Sequence, residues 1–380
     1  MVYCNKCGCE NIKYFGIRGN EYYCRKCITF KGEQAINKTT TKIAKVKLKL
    51  DYLLTKEQEA ISTKVCASIE NKKNVLIYAV CGAGKTEIVY KTIEKALKNN
   101  KKVGFAIPRK DVVIELEDRI KDAFPLNSVV SVYGGHTEKL DGDIILLTTH
   151  QLFRYENYFD LLIIDETDAF PFSKNEVLLK HFDSSIKGNY IMMSATPLKW
   201  MIDKITKERG VILSLLKRFH GHKIVEPILS VIPFLQEIKV IGLLKKYQKE
   251  NKQCLIFVPT RIESERLFNL LKLFFKNIDY VHSLKENRNN IINDFKKKDK
   301  QFLITTSILE RGITIKNVQA IIFDASHEIY DTATLIQMAG RVGRKMDAYE
   351  GEVHFLAKKP TIFIEEAIMK IKEANQNALL

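Results

Sequence analysis

The 380-residue chain is 46% hydrophobic and 28% charged, which excludes a disordered protein and leaves room for two or three domains. Its formal net charge of +16 indicates a polyanionic partner, either nucleic acid or an anionic membrane surface, although an AT-rich genome would also enrich lysine. The chain lacks an apolar run of the ~18 residues that a membrane span needs and a secretory hydrophobic core. We therefore expect a soluble, cytoplasmic protein.

The first residues carry two CxxC pairs, Cys4 with Cys7 and Cys24 with Cys27. Each pair presents two thiolates from one tight turn, and two such turns complete a tetrahedral zinc site. A segment this small needs the metal in order to fold. The pattern predicts a zinc-ribbon-like domain over residues 1–35, in which Cys9 is an alternative ligand to Cys7. A basic linker is predicted to follow over residues 36–51, and Thr55 is a suitable N-cap for the next helix.

The stretch AVCGAGKTE, residues 79–87, follows an apolar run and precedes a helical pattern. Glycines in such a loop let the backbone turn so that N–H groups at the start of the helix point at phosphate oxygens. Lys85 adds positive charge for the outer phosphates, and Thr86 offers a hydroxyl to Mg2+. The pattern predicts an ATP site that is formed by Gly82, Ala83, Gly84, Lys85 and Thr86.

Short apolar runs then alternate with helical periods, which predicts a mainly parallel sheet with helices on both faces. Ligands of such sheets bind beyond the carboxyl ends of the strands. Asp165 stands at one such end, in DETD, where its carboxylate can hold Mg2+ while Glu166 orients and deprotonates the attacking water. Ser194 and Thr196, in SAT, can bond to Asp168 and transmit the nucleotide state, or simply cap the next helix.

A second α/β unit is predicted over residues 221–380, after a first one over residues 52–220. It has no phosphate loop of its own, but it carries QMAGRVGRK, residues 337–345. Arg341 and Arg344, three residues apart on one predicted helical face, can reach a γ-phosphate in the partner domain. The alternative is a basic surface helix.

The motifs AxxGxGKT, DETD, SAT, T…ERGIT (Thr306 and residues 310–314) and QxxGRxxR, read in order, resemble a superfamily 2 helicase core. The resemblance covers residues 52–360. It implies two RecA-like domains with ATP between them and nucleic acid across the top. The chain departs from many members at Thr314, where they have Asp, and at Gln337, where they have His, which leaves the role of Gln337 in coupling open.

The resemblance also implies further site residues. Gln58, in LTKEQ, would lie near the adenine unless it is a surface glutamine. Contacts with nucleic acid would come from the following residues, although local capping or solvation is an alternative for each: Arg109, Thr149, His150, Thr260, Arg261 and Thr306.

With its N-terminal Cys4 segment, short basic chain and ILERGIT, the whole sequence is similar to the ComFA family of late-competence ATPases. This resemblance implies an ATP-driven motor that uses Mg2+ and Zn2+ and pulls single-stranded DNA into the cytoplasm, at the inner face of the membrane. Its implied partners are the membrane DNA channel, cytosolic DNA-handling proteins and further copies of the chain.

Two other functions compete with this reading. A duplex-unwinding DNA or RNA helicase would share the same core. A zinc-bearing nucleic-acid-binding module with ATP as a switch is disfavoured, because it need not retain Glu166, Arg341 and Arg344.

Overall fold

The computed structural model describes residues 2–4, 6–19, 21–36, 45–169, 171–306 and 315–377. Its contacts form two compact units, Met1–Ala79 with Gly84–Leu215 and Val80–Ala83 with Leu216–Leu380. Part of the predicted linker and the whole of residues 310–314 lie outside the described residues. In the described part of the chain, no helix is long and apolar enough to cross a membrane. The bounds that the sequence gives for its four segments stay predictions.

The first unit is built on a seven-stranded parallel sheet, preceded by a small antiparallel hairpin. The hairpin strands are β1 (Phe15–Arg18) and β2 (Glu21–Cys24). The sheet strands are β3 (Val75–Ala79), β4 (Val103–Ile107), β5 (Val129–Val132), β6 (Ile144–Thr148), β7 (Phe159–Ile164), β8 (Ile186–Ser194) and β9 (Val211–Leu215). Their order is β5-β6-β4-β7-β8-β3-β9, and every neighbouring pair is parallel.

In the part of the first unit that the structure describes, the α-helices are α1 (Lys56–Glu70), α2 (Lys85–Lys98), α3 (Lys110–Ala123), α4 (Glu176–Ser185) and α5 (Lys199–Lys207). Short 3-10 helices cover Ile12–Tyr14, Arg25–Cys27, Thr149–Arg154 and Phe172–Lys174. The prediction of Thr55 as an N-cap is confirmed, because Thr55 and Gln58 form a reciprocal capping box at the start of α1.

The second unit holds a six-stranded parallel sheet of order β10-β15-β14-β11-β13-β12. Its strands are β10 (Ile228–Val231), β11 (Gln253–Phe257), β12 (Ile278–Val281), β13 (Phe302–Thr305), β14 (Val318–Ile322) and β15 (Val353–Ala357). Its helices are α6 (Gln236–Lys249), α7 (Arg261–Leu271), α8 (Arg288–Lys296), α9 (Thr332–Ala339) and α10 (Ile362–Asn377).

The predicted fold class, α/β with two parallel sheets, is confirmed. Strands β4, β6, β11, β13, β14 and β15 are buried along their whole length, which is the pattern of a sheet covered on both faces. One helix is shorter than its apolar pattern suggests. The pattern runs on to residue 275, but α7 ends at Leu271, because the chain turns so that Phe275 packs edge-on against Phe302, with ring centroids 5.2 Å apart.

Candidate active site

The loop between β3 and α2 has the backbone geometry of a phosphate cradle. Gly82 and Gly84 have φ angles of +82° and +80°, in the left-handed region that favours glycine. A Cβ atom on Gly84 would lie 2.3 Å from the Gln58 amide nitrogen, so a side chain at that position would have to displace Gln58. Gly84 is also the N-cap of α2 and offers no capping side chain. The first N–H groups of α2 therefore stay open to a ligand.

Lys85 and Asp165 face each other in the first unit. Lys85 opens α2, Asp165 follows β7, and Lys85 Nζ lies 3.8 Å from Asp165 Oδ1. Burial raises the pKa of Asp165, and the Lys85 ammonium opposes this rise. A divalent cation would favour the ionised carboxylate further. The donor set, an aspartate and the Thr86 hydroxyl, fits Mg2+, which binds oxygen ligands.

Glu166 adopts a left-handed backbone conformation with φ of +56°, which is rare for a residue with a side chain. Its N–H donates to Asp165 Oδ1 at 2.8 Å, and its carbonyl accepts from Ala169 N at 2.8 Å. Thr167, the next residue, donates from its N–H to Met193 O in β8. The surrounding bonds thus hold Glu166 in a strained turn beside Asp165, and such strain is concentrated at functional sites.

A buried network connects this turn to the end of β8. Ser194 Oγ donates to Asp168 Oδ1 at 2.7 Å, and Thr196 Oγ1 donates to Asp168 Oδ2 at 2.9 Å. Thr196 N donates to Ser194 Oγ at 2.9 Å. Asp168 is three residues from Asp165, so the network joins the turn that carries Asp165 to the segment after β8. The bonding that the sequence suggested for SAT is present. Within the described residues 171–306, the next helix has Leu198 as its N-cap, without a capping bond from a side chain.

Replacing Thr196 with Val tests this network. The change removes one donor from a buried carboxylate, and we expect it to lower the free energy of unfolding by about 1.5–3 kcal/mol. It should also reduce the stimulation of ATP turnover by nucleic acid more than the basal turnover. Thr196→Ser keeps the hydroxyl and is the matched control. The measurements are urea unfolding and ATP turnover of both variants. If Thr196→Val and Thr196→Ser had the same free energy of unfolding and the same stimulation by nucleic acid, the role of the hydroxyl would be contradicted.

Gln58 is buried, which excludes the alternative of a surface glutamine. Its Oε1 accepts from Thr55 N at 2.9 Å in the capping box, and its amide nitrogen faces Gly84. The side chain is therefore fixed beside the phosphate loop. A contact with adenine stays a prediction.

In the second unit, α9 ends at Ala339, so the expectation that Arg341 and Arg344 share a helical face is wrong. Both lie on the turns that follow, because Gly340 caps the helix and Gly343 has a φ of +70°. Arg341 is buried, and Arg344 Nε donates to Gly340 O at 2.8 Å. Gln337 is buried on α9.

The six predicted nucleic-acid contacts differ in exposure. Arg261 and His150 are exposed, whereas Arg109 and Thr306 are half-buried. Thr260 caps α7 by accepting from Glu263 N at 3.1 Å, which is the local alternative that the sequence left open. Thr149 is fully buried at the start of its 3-10 helix, so its hydroxyl does not lie on a surface that a strand could touch.

The N-terminal cysteines form a site that fits zinc. The Sγ atoms of Cys4, Cys7, Cys24 and Cys27 all lie within 4.8 Å of one another, and all four residues are buried. Cys4 and Cys27 have Sγ atoms 3.7 Å apart, and those of Cys7 and Cys24 are 3.6 Å apart. Zn–S bonds of about 2.3 Å in a tetrahedron require about 3.8 Å between sulfurs. Cys9 lies outside this group.

The cysteine segment is docked on the first unit. Phe30 packs against His181 of α4, with ring centroids 5.0 Å apart, and stacks on His150 at 6.3 Å. Burial lowers the pKa of His181 to about 4, so the ring that meets Phe30 is neutral at pH 7. Arg154 Nη1 donates to Glu33 O at 2.8 Å, and Arg154 O accepts from Ala35 N at 2.8 Å.

Sequence reasoning missed these docking residues: Phe30, Arg154 and His181. Each contact joins segments more than a hundred residues apart, and nothing in the local pattern around Phe30 distinguishes it from a core residue of the small domain. The docking brings the cysteine segment beside His150, one of the predicted nucleic-acid contacts.

Two family models match the chain: "Type III restriction enzyme, res subunit" over residues 51–199 and "Helicase conserved C-terminal domain" over residues 235–346. The chain is 31% identical over 394 residues to "Competence protein ComFA" of Streptococcus pneumoniae, covering 99% of this chain and 91% of that protein. It is 32% identical over 402 residues to "Competence protein ComFA" of Bacillus subtilis, covering 99% and 86%.

Solved structures show the same architecture. S. cerevisiae Dbp5 bound to RNA and ADP BeF3 matches with a TM-score of 0.61 at 17% identity, covering 84% of this chain and 91% of that one. Mycobacterium smegmatis helicase Lhr bound to ssDNA and AMP-PNP matches with a TM-score of 0.61 at 17% identity, covering 83% and 48%. At these identities the likeness shows the fold alone, which is a pair of RecA-like domains.

Proposed function

Because the chain belongs to the ComFA family of competence proteins and is a helicase-type ATPase, we propose that it translocates on single-stranded DNA and drives the import of transforming DNA into the cytoplasm. Its partners in this proposal are the membrane DNA channel and the cytosolic proteins that receive the strand. Further copies of the chain would complete the assembly at the inner face of the membrane.

The proposed chemistry begins with ATP on the phosphate loop. Lys85 binds the outer phosphate oxygens, while Thr86 and Asp165 would hold Mg2+, which when bound would supply charge stabilisation to the phosphates. Glu166 accepts a proton from the attacking water and orients it. Arg341 and Arg344 stabilise the charge that develops on the γ-phosphate.

The observation that carries the proposal of movement is the network of Asp168, Ser194 and Thr196. It is buried, contains three hydrogen bonds of 2.7–2.9 Å, and joins the turn of Asp165 to the segment after β8. The exposed His150 and Arg261 are the candidate grips on the DNA backbone. Contacts with phosphates carry no sequence information, so binding should be unspecific and should weaken as salt rises.

Turnover of ATP with single-stranded DNA, duplex DNA or RNA tests this function. We expect strong stimulation by single-stranded DNA, weak stimulation by blunt duplex and RNA, and no separation of the blunt duplex. Equal stimulation by RNA, or unwinding of the duplex, would favour a helicase with another task. Tight ATP binding without turnover on any polymer would favour a switch.

We also propose that the zinc domain is a fixed part of the DNA-binding surface. Phe30 of this domain stacks on His150. Residues 1–33 include six basic and three acidic residues, so the domain carries a net positive charge. Exposed tyrosines on the same segment, Tyr3, Tyr14 and Tyr22, offer rings on which unpaired bases stack.

Replacing Phe30 with Ala separates docking from zinc binding. We expect the variant to keep one zinc per chain but to bind a 40-nucleotide single strand about tenfold more weakly, because the domain loses its place beside His150. Basal ATP turnover should stay unchanged. Ile12→Ala, an exposed apolar residue of the same segment, is the control. Unchanged affinity of the Phe30 variant would contradict the proposal; zinc content and fluorescence anisotropy are the measurements.

A further inference from the structure

Two buried basic side chains hold the loop that carries Arg341 and Arg344. Arg218 is 2% exposed, and its Nη1 donates to Val342 O at 3.0 Å and to Gly343 O at 2.5 Å. Its Nη2 lies 3.5 Å from Gly340 O. These carbonyls belong to the C-terminal end of α9 and the turn after it. Such groups have no partner within the helix and carry partial negative charge, so a guanidinium satisfies them well.

The position of Arg218 is costly for a purely structural residue. Among the residues that the structure describes, no carboxylate forms an ion pair with it. Burial and the nearby Arg344 lower its pKa to about 10. A buried cation without a counter-charge carries a desolvation cost that no ion pair offsets. The planar guanidinium of Arg218 supplies a fixed fork of donors to the backbone carbonyls of Gly340, Val342 and Gly343.

His220 and His222 extend this arrangement. His220 Nε2 lies 3.1 Å from Gly343 O, while its Nδ1 accepts from His222 N at 3.2 Å, so the proton is assigned to Nε2. The His222 ring stacks on Tyr349 at 3.5 Å with an angle of 3° between the planes. Gly343 has no space for a side chain, since an added Cβ would lie 2.3 Å from Tyr349 O. Residues 340–349 are thus held against the segment 218–222.

We propose that Arg218 and His220 are positioning residues for ATP hydrolysis: by fixing the carbonyls of residues 340–343, they hold Arg341 and Arg344 in the geometry that the γ-phosphate requires. The proposal rests on the proposed role of these two arginines. Preorganised charge stabilises a transition state without reorganisation at the moment of reaction. A displacement of ~1 Å in such a group can cost ~10²-fold in rate.

The test compares Arg218→Gln, His220→Ala and His220→Gln in the full chain, with Lys223→Gln as the control at an exposed neighbouring position. We expect kcat for ATP to fall ~10–100-fold in Arg218→Gln and His220→Ala, with KM for ATP and the affinity for single-stranded DNA within about threefold of wild type. His220→Gln retains an N–H donor and an acceptor and should recover most of kcat. Lys223→Gln should behave as wild type.

A purely structural role predicts a different result. Loss of kcat would then follow the melting temperature of each variant, and His220→Gln would gain nothing over His220→Ala at equal stability. That result, or wild-type kcat in a folded Arg218→Gln protein, would overturn the proposal. If Arg218→Gln does not fold, the two His220 variants decide alone. Wild-type ATP turnover with and without DNA is measured first. A lack of stimulation by DNA would contradict the proposed function, whereas the basal kcat of the variants would still test whether Arg218 and His220 position Arg341 and Arg344.

Discussion

Glu166→Gln should abolish nearly all ATP turnover while ATP still binds. The substitution keeps the shape of the side chain and removes the carboxylate that takes the proton from the attacking water. Loss of a general base typically costs ~10²–10⁴-fold in rate, and we expect DNA-stimulated kcat to fall within that range. Lys85, Thr86 and Asp165 are untouched, so the affinity for ATP should change less than about threefold. Steady-state turnover and binding of a fluorescent ATP analogue are the two measurements.

The matched control is Glu156→Gln, at an exposed glutamate of the same unit. It removes the same charge without touching the turn after β7 and should retain wild-type turnover. Glu166 also occupies a left-handed backbone position, so thermal melting must show that the variant folds. A folded Glu166→Gln protein that hydrolyses ATP at the wild-type rate would remove Glu166 from the mechanism.

Arg341→Gln and Arg344→Gln should give the largest losses. Arginine fingers contribute ~10³–10⁵ in rate in related phosphoryl-transfer enzymes, and we expect each variant to lose at least ~10³-fold in kcat with ATP binding retained. Arg341 is 3% exposed, so its removal also leaves a cavity, whereas Arg344 is half-buried and can be replaced with less disturbance. Arg344→Gln is therefore the cleaner test of the charge.

Lys345→Gln removes a neighbouring exposed charge from the same loop and should leave kcat unchanged. Arg344→Lys should stay impaired, because an ammonium does not reproduce the planar donor fork of a guanidinium. If Arg344→Gln lowered the affinity for DNA but not kcat at saturating DNA, Arg344 would be a DNA contact rather than a finger. Single-turnover hydrolysis at saturating ATP and DNA distinguishes the two roles.

The sequence predicts the phosphate loop and the acidic turn because their chemistry is local. The positive φ angles at positions 82 and 84 favour glycine. An aspartate that follows an apolar strand lies at the carboxyl edge of a parallel sheet, whichever position that strand has in the strand order. The capping box of Thr55 and Gln58 is local in the same sense. These features depend on fewer than ten consecutive residues, and the structure contains each of them.

Other features depend on contacts that no local pattern encodes. The spacing of Arg341 and Arg344 predicts that they share one helical face, yet α9 ends before them because the chain turns at Gly340 and Gly343. The Arg218 guanidinium then donates to the carbonyls of Val342 and Gly343, which have no partner within a helix. Thr149 looks like a surface contact in TTHQL but is buried, since the 3-10 helix packs it inward. Phe30 reads as core filler of a small domain, whereas it docks that domain on His181.

The most direct test of the central claim is the displacement of streptavidin from biotinylated single-stranded DNA by the protein and ATP. A motor that moves along the strand pushes streptavidin off one end, and the rate should depend on ATP and vanish in Glu166→Gln. We predict ATP-dependent displacement from one of the two ends, with no separation of a blunt duplex under the same conditions. ATP turnover that is stimulated by DNA but displaces streptavidin from neither end would contradict translocation.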